Sequence, residues 1–228
     1  AEPPAAAPIT AAVAPAATGT IKGTIAFTGK APEPATLNRS SDPYCAKTKA
    51  LDESLVVNAN KTLKNALVRI SSPIANPPPV PATTVEVNQE ACMYRPRVQG
   101  AVAGQKILIR NSDGTLHNVH TYKGTTTLFN IAQPPKSPPV EKIAAGDMTV
   151  LKWKCDVHPW MTGYVSVTAH PFFAVTGDDG SFVIKGVPAG THKIEVWHEK
   201  LGAKTLEVTV AANKEATVSA SYDGTEKP

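Results

Sequence analysis

Proline sets the tightest limit on what this chain can fold into. Each proline removes a backbone donor and clashes inside a helix, and 21 of them are distributed through 228 residues. They gather in three places: the Ala/Pro-rich stretch 1–18, the run Pro73 to Pro81, and the run Pro134 to Pro139. The segments between them alternate apolar and polar residues at the period of a strand, and no long stretch repeats at helical spacing. With 15 Gly and only 18% charged residues, the pattern predicts an all-β protein of many short strands joined by turns.

The strand-like runs are Thr20 to Phe27, Leu63 to Ile70, Thr83 to Val87, Gln105 to Asn111, Val119 to Lys123, Gly146 to Lys154 and Gly163 to Thr168. The last third adds Phe173 to Thr176, Ser181 to Lys185, His192 to His198, Lys204 to Val210 and Glu215 to Ser221. Residues 1–18 hold too little bulky apolar surface to offset the entropy of ordering, and predict an extended spacer.

A net charge of +4 with no Arg/Lys-rich run gives nucleic-acid binding little support and leaves an acidic docking partner open. No stretch approaches the roughly 18 consecutive apolar residues of a membrane span. The opening Ala1-Glu2-Pro3-Pro4 fits a mature product after removal of a signal peptide, so a periplasmic or extracellular location is expected, with an N-terminal tether as an option. Three cysteines is then an odd number, and one of them needs a role.

The segment Trp153-Lys154-Cys155-Asp156-Val157-His158-Pro159-Trp160-Met161 supplies one. It offers a thiolate, an imidazole and a thioether on one short loop between two strands. Soft sulfur with imidazole selects copper over hard cations, and a His₂Cys set with a weak axial Met is the ligand set of an electron-transfer copper site. The second His is available at His117, where Asn111 to Leu116 reads as a loop entering a strand. His120 lies an odd number of positions further on, points to the opposite face, and is not expected to be a ligand.

The pairing of His117-Asn118-Val119-His120 with Cys155-x-x-His158-x-x-Met161 resembles the cupredoxins, most closely the amicyanin-type proteins with a short ligand loop. The likeness runs over about residues 83–169. It implies a Greek-key β-sandwich holding one type 1 (blue) copper per chain. It further implies His117, Cys155 and His158 as equatorial ligands, Met161 as the axial one, and Asn118 as the side chain that ties the two ligand loops together. The implied function is carriage of single electrons between redox partners such as a c-type cytochrome or a dehydrogenase, not enzyme catalysis. The His158 edge would be the electron's way out, rimmed by Pro159 and Trp160. A copper-binding protein for delivery or storage would use the same ligands.

Plainer readings exist for each residue. In an exported protein Cys155 could be half of a disulfide, but Cys45 and Cys92 can pair with each other and leave it free. A nucleophilic Cys155 would need an oxyanion loop, and none accompanies it. Met161 could be core filler. A second metal site at His170 or His198 is a weaker alternative, and Asp178-Asp179-Gly180 lacks the later acidic ligands of a calcium loop and reads as a turn.

The stretch Ala174 to Ile194 resembles the second half of carboxypeptidase regulatory-like domains, small transthyretin-type (prealbumin-like) sandwiches. The opening strands of such a domain match Gly19 to Phe27 and Lys64 to Ile70. The expected arrangement is a discontinuous sandwich from 19–81 and 171–222, with a cupredoxin-like copper domain, 82–170, inserted; the alternative is two consecutive units, a copper domain with an N-terminal β-extension and a separate C-terminal sandwich. Such sandwiches carry no chemistry of their own. Trp197-His198-Glu199 has no explanation at this level.

Overall fold

A computed structural model describes residues 17–146 and 148–228; the expected spacer, apart from Ala17 and Thr18, lies outside the described residues. The protein is all-β. Its strands in chain order are β1 (Thr18–Phe27), β2 (Leu67–Ile70), β3 (Val85–Glu90), β4 (Met93–Arg95), β5 (Val98–Val102), β6 (Lys106–Asn111), β7 (His117–Lys123) and β8 (Thr126–Gln133). They continue as β9 (Val140–Ile143), β10 (Thr149–Lys154), β11 (Thr162–Thr168), β12 (Phe173–Val175), β13 (Ser181–Pro188), β14 (Gly190–His198), β15 (Gly202–Val210) and β16 (Glu215–Tyr222). Among the described residues no helix is long and apolar enough to cross a membrane.

The strands form four sheets around two cores. One pair of sheets, β13-β1-β16 and β12-β2-β14-β15, draws its strands from both ends of the chain. β1 lies between β13, antiparallel, and β16, parallel, in register from Thr20 opposite Glu215 to Phe27 opposite Tyr222. Period-2 alternation puts Ile21, Ile25 and Phe27 inward, where they meet Val68, Ile70, Phe182, Ile194 and Val196. Each such side chain, fully buried, contributes about 1.5–3 kcal/mol of apolar transfer. Gly23 allows the parallel neighbour to approach: a Cβ there would stand 1.6 Å from the Val218 carbonyl oxygen.

The other pair, β5-β11-β10-β7-β8 and β4-β3-β6-β9, comes from the middle of the chain. Its core holds Val87, Tyr94, Ile107, Ile109, Val119, Leu151, Trp153, Val165 and Val167, and at one end Cys45, Cys92, Cys155 and Met161.

The two cores are locked together by buried contacts. Arg97, beside β5, makes a two-pronged ion pair with Glu199, just past β14, with Arg97 Nη2 donating to Glu199 Oε2 at 2.8 Å. The Tyr164 ring meets Trp197 edge-on at 5.1 Å, and Arg69 donates to Ser166 at 3.0 Å and to Glu195 at 2.9 Å. The Trp197-His198-Glu199 motif is therefore the joint between the two parts of the molecule.

Several elements differ from the sequence expectation. β1 starts at Thr18, inside the expected spacer, because Ala17 and Thr18 bond to the 188–189 and 211–214 turns. The expected strand from Leu63 shortens to Leu67–Ile70 because Asn65 takes a left-handed conformation, φ +63°. β4, β5, β8 and β9 were not anticipated. β4 and β5 are short and interrupted at Pro96, while β8 and β9 are largely exposed and so lack the apolar alternation that marks a half-buried strand.

Candidate metal centre

β10 and β11 are antiparallel neighbours, paired at their ends by Lys154 and Thr162, so the intervening 155–161 loop must return on itself. It does so through two backbone bonds, Met161 N–H to the His158 carbonyl at 2.9 Å and Cys155 N–H to the Met161 carbonyl at 3.3 Å. This closed turn brings Cys155, His158 and Met161 to the end of the second core, all fully buried or nearly so. His117 opens β7, the neighbour of β10, and lands beside the same loop.

The donor atoms of His117, Cys155 and His158 lie within 4.8 Å of one another. His117 Nδ1 and His158 Nδ1 face each other at 2.8 Å, and Cys155 Sγ is 3.7 Å from His158 Nδ1. Two other groupings among the described residues, Asp42 with Cys45 and His158, and Cys92 with Asp113 and His117, rely on sulfurs joined in the Cys45–Cys92 disulfide. They cannot offer a thiolate, so Cys155 is the one free thiol at the site.

Asn118, next to His117, bonds across to the 155–161 loop and to β8. Its Oδ1 accepts the Asp156 N–H at 2.7 Å and its Nδ2 donates to Asp156 at 2.9 Å and to Asn130 at 2.8 Å. Its backbone N–H points at Cys155 Sγ, 3.5 Å away, and its carbonyl accepts the buried Tyr94 hydroxyl at 2.6 Å. His120 turns outward to Asp156, Tyr122 and Thr127.

The expected open edge of His158 is not there. His158 is 0% exposed, because the segment around Asp42 to Cys45 folds across it. Asp42 Oδ2 stands 3.0 Å from His158 Nε2, and Cys45 Sγ 3.9 Å from the same nitrogen. Trp160 stacks at a tilt against the imidazole, centroids 5.0 Å apart, and is fixed by its indole N–H on the Cys92 carbonyl at 3.1 Å. Of the expected rim, Pro159 is exposed and Trp160 half-buried, with Val157 and Leu116 exposed nearby.

Sequence reasoning missed Asp42 and Asp113. Asp113 Oδ2 stands 2.9 Å from His117 Nε2, so each imidazole has a carboxylate on its outer nitrogen. Asp42 is 116 positions from its partner and carried no local signal, whereas Asp113 lies four residues before His117, and that spacing was the signal available.

The electrostatics follow from these contacts. Burial alone would raise the Cys155 thiol, but bonding from His117 and from the Asn118 and His158 backbone outweighs it and brings the thiol below its ordinary value. Burial likewise opposes the charged form of His117, yet Asp113 and Cys155 hold that imidazole above its usual value. For His158, burial and the nearby His117 prevail over Asp42 and depress it. Burial is also outweighed at Asp42, by the Cys45 N–H, Thr115 and His158, and at Asp113, by His117 and the Cys92 N–H, so both carboxyls lie below the usual range. Across from the two carboxylates stands the guanidinium of Arg39, whose charge interacts with both Asp113 and Asp42. With Cys155 deprotonated, as a metal ligand must be, the thiolate and two carboxylates exceed the Arg39 charge by two, and two imidazoles with a thiolate form a donor set suited to a soft divalent ion. The residues fit copper.

No protein-family model matches the chain, and no curated protein matches it. Among solved structures, partial likenesses are to cupredoxins. A purple cupredoxin from Nitrosopumilus maritimus is 22% identical, over 37% of this chain and 99% of that one, with a TM-score of 0.33. Amicyanin from Paracoccus versutus is 25% identical, over 44% of this chain and 96% of that one, at 0.32. A Cu-containing nitrite reductase from Thermus scotoductus is 16% identical, over 42% of this chain and 25% of that one, at 0.33.

Proposed function

We propose that this chain binds one copper ion in a type 1 site and carries single electrons between exported redox partners. The observation that carries this reading is the convergence of His117 Nδ1, His158 Nδ1 and Cys155 Sγ in one buried pocket, with Met161 on the same closed turn. In this reading the first three are equatorial ligands and Met161 the axial one. Copper, when bound, supplies a reversible one-electron couple. The chain's part is to present the donors already assembled, to keep water out, and through Asn118 to hold the two loops at a fixed separation. A pocket closed on every side leaves no place for a substrate beside the ion, which supports a carrier rather than an enzyme.

The Cys45–Cys92 disulfide supports an oxidising compartment, periplasmic or extracellular. We read 19–81 with 171–222 as a regulatory-like sandwich serving as a rigid mount, 82–170 as the copper domain set into it, and the Ala/Pro-rich N-terminus as a tether. The partner would be a c-type cytochrome or a dehydrogenase.

A second reading, copper storage or delivery, is favoured by one feature, the complete burial of His158. Voltammetry combined with chelator challenge separates the two. A carrier gives a reversible one-electron wave and keeps its copper against a weak chelator; slow or absent electron exchange with ready surrender of the ion supports the second reading.

A further inference from the structure

An imidazole can bind a metal through either nitrogen, and the choice is set by what the other nitrogen bonds to. An ionised carboxylate only accepts hydrogen bonds. Asp113 against His117 Nε2 and Asp42 against His158 Nε2 therefore require Nε2–H on both rings, which turns both Nδ1 atoms towards Cys155.

The carboxylates are themselves pinned. Asp113 accepts backbone N–H bonds from Ala91 and Cys92, both 2.8 Å. Asp42 accepts from Tyr44 at 2.7 Å, Cys45 at 2.9 Å and the Thr115 hydroxyl at 2.7 Å. The N–H of Cys45 thus holds the carboxylate of one histidine and the N–H of Cys92 that of the other, and the disulfide joins these two cysteines. One covalent bond clasps both carboxylate loops over the site.

We propose that Asp42 and Asp113 are positioning residues, held by the Cys45–Cys92 clasp, that fix both imidazoles with Nδ1 inward and make the pocket favour a divalent over a monovalent ion. The second half rests on the copper reading above. A metal-bound thiolate and two carboxylates set against the Arg39 guanidinium are neutralised by a divalent ion and left with an excess negative charge by a monovalent one. In a buried pocket that excess is costly, so the carboxylates bias a Cu(II)/Cu(I) couple towards Cu(II).

The test uses the full chain with Asp42→Asn, Asp113→Asn and Asp42→Ala, each checked for folding by circular dichroism. Asparagine keeps an acceptor oxygen while removing the charge, so it serves where alanine fails to fold. Long-range nitrogen–proton NMR of the metal-free protein reads which ring nitrogen carries hydrogen. Competition with Cu(I)- and Cu(II)-specific chelators reads the two affinities separately. We expect Nε2–H on both rings of the unaltered chain and a mixed pattern for His158 in Asp42→Ala. Each asparagine variant should raise the Cu(I):Cu(II) affinity ratio at least about tenfold, equivalent to about 59 mV for a one-electron couple. Unchanged ring patterns in a folded Asp42→Ala, or Nδ1–H in place of Nε2–H on either ring of the unaltered chain, overturn the positioning role, and a ratio raised less than about tenfold in the asparagine variants overturns the selection role. Failure of the unaltered chain to bind copper sinks the copper reading and the selection role with it, and the metal-free NMR still decides the positioning role.

Discussion

Arg97 and Glu199, 102 positions apart in sequence, form a buried two-pronged ion pair, each side chain 6% exposed. Arg97 also donates to the Thr162 carbonyl at 3.3 Å, the residue directly after Met161. The pair therefore fastens the sheets drawn from the two ends of the chain to the exit of the 155–161 loop. Removing one partner strands a charge away from water, which costs about 3–5 kcal/mol. Glu199→Gln is expected to lower stability by that order in urea unfolding followed by tryptophan fluorescence. A loss below about 1 kcal/mol would show that the joint is held by packing of Trp197 on Tyr164 instead.

The Cys45–Cys92 bond closes a loop with a sequence separation of 47, which in the chain-entropy picture stabilises the fold by about 4 kcal/mol. The double variant Cys45→Ala/Cys92→Ala is expected to lose about 2–5 kcal/mol and to expose His158 to a water-soluble imidazole-modifying reagent. Retained protection of His158 would mean that Asp42 and its neighbours cover the site without the clasp.

His198 is buried at the same joint, and burial with the nearby Arg97 charge lowers its pKa from 6.5 to about 4. Between those values the unfolded chain takes up a proton that the folded chain refuses, so this group's stabilisation is full above pH 6.5 and is lost as pH falls towards 4. The loss is on the order of 3 kcal/mol. His198→Asn should flatten the stability profile between pH 6.5 and 4 relative to the unaltered protein. Parallel profiles in this window would contradict the assignment of the acid sensitivity to His198.

Much of the fold was legible because strand periodicity is local. On β14 the inward set His192, Ile194, Val196 and His198 is buried in alternation as the sequence pattern requires. The exposed strands β8 and β9 carry no such alternation and were missed. At the candidate site, the spacing of Cys155, His158 and Met161 and the pairing of the other two cysteines could be read from the chain itself. Asp42 and the covering of His158 could not, because they depend on an irregular segment folding back over a loop more than 100 residues away; Asp113 lies only four residues before His117, but its aim at that ring depends on the Ala91 and Cys92 N–H groups that hold it. Glu199 was invisible as a partner of Arg97 for the same reason: no local pattern encodes a contact between two separate sandwiches.

The central claim is that Cys155 is the thiolate ligand of a copper centre. The optical and electron paramagnetic resonance spectra of the copper-loaded protein test it most directly. An intense thiolate-to-copper band in the visible, with the narrow copper hyperfine splitting of a thiolate site, is predicted for the unaltered chain, and both should vanish in a folded Cys155→Ala variant. Absence of the band in the unaltered protein, or its persistence in Cys155→Ala, would contradict the account.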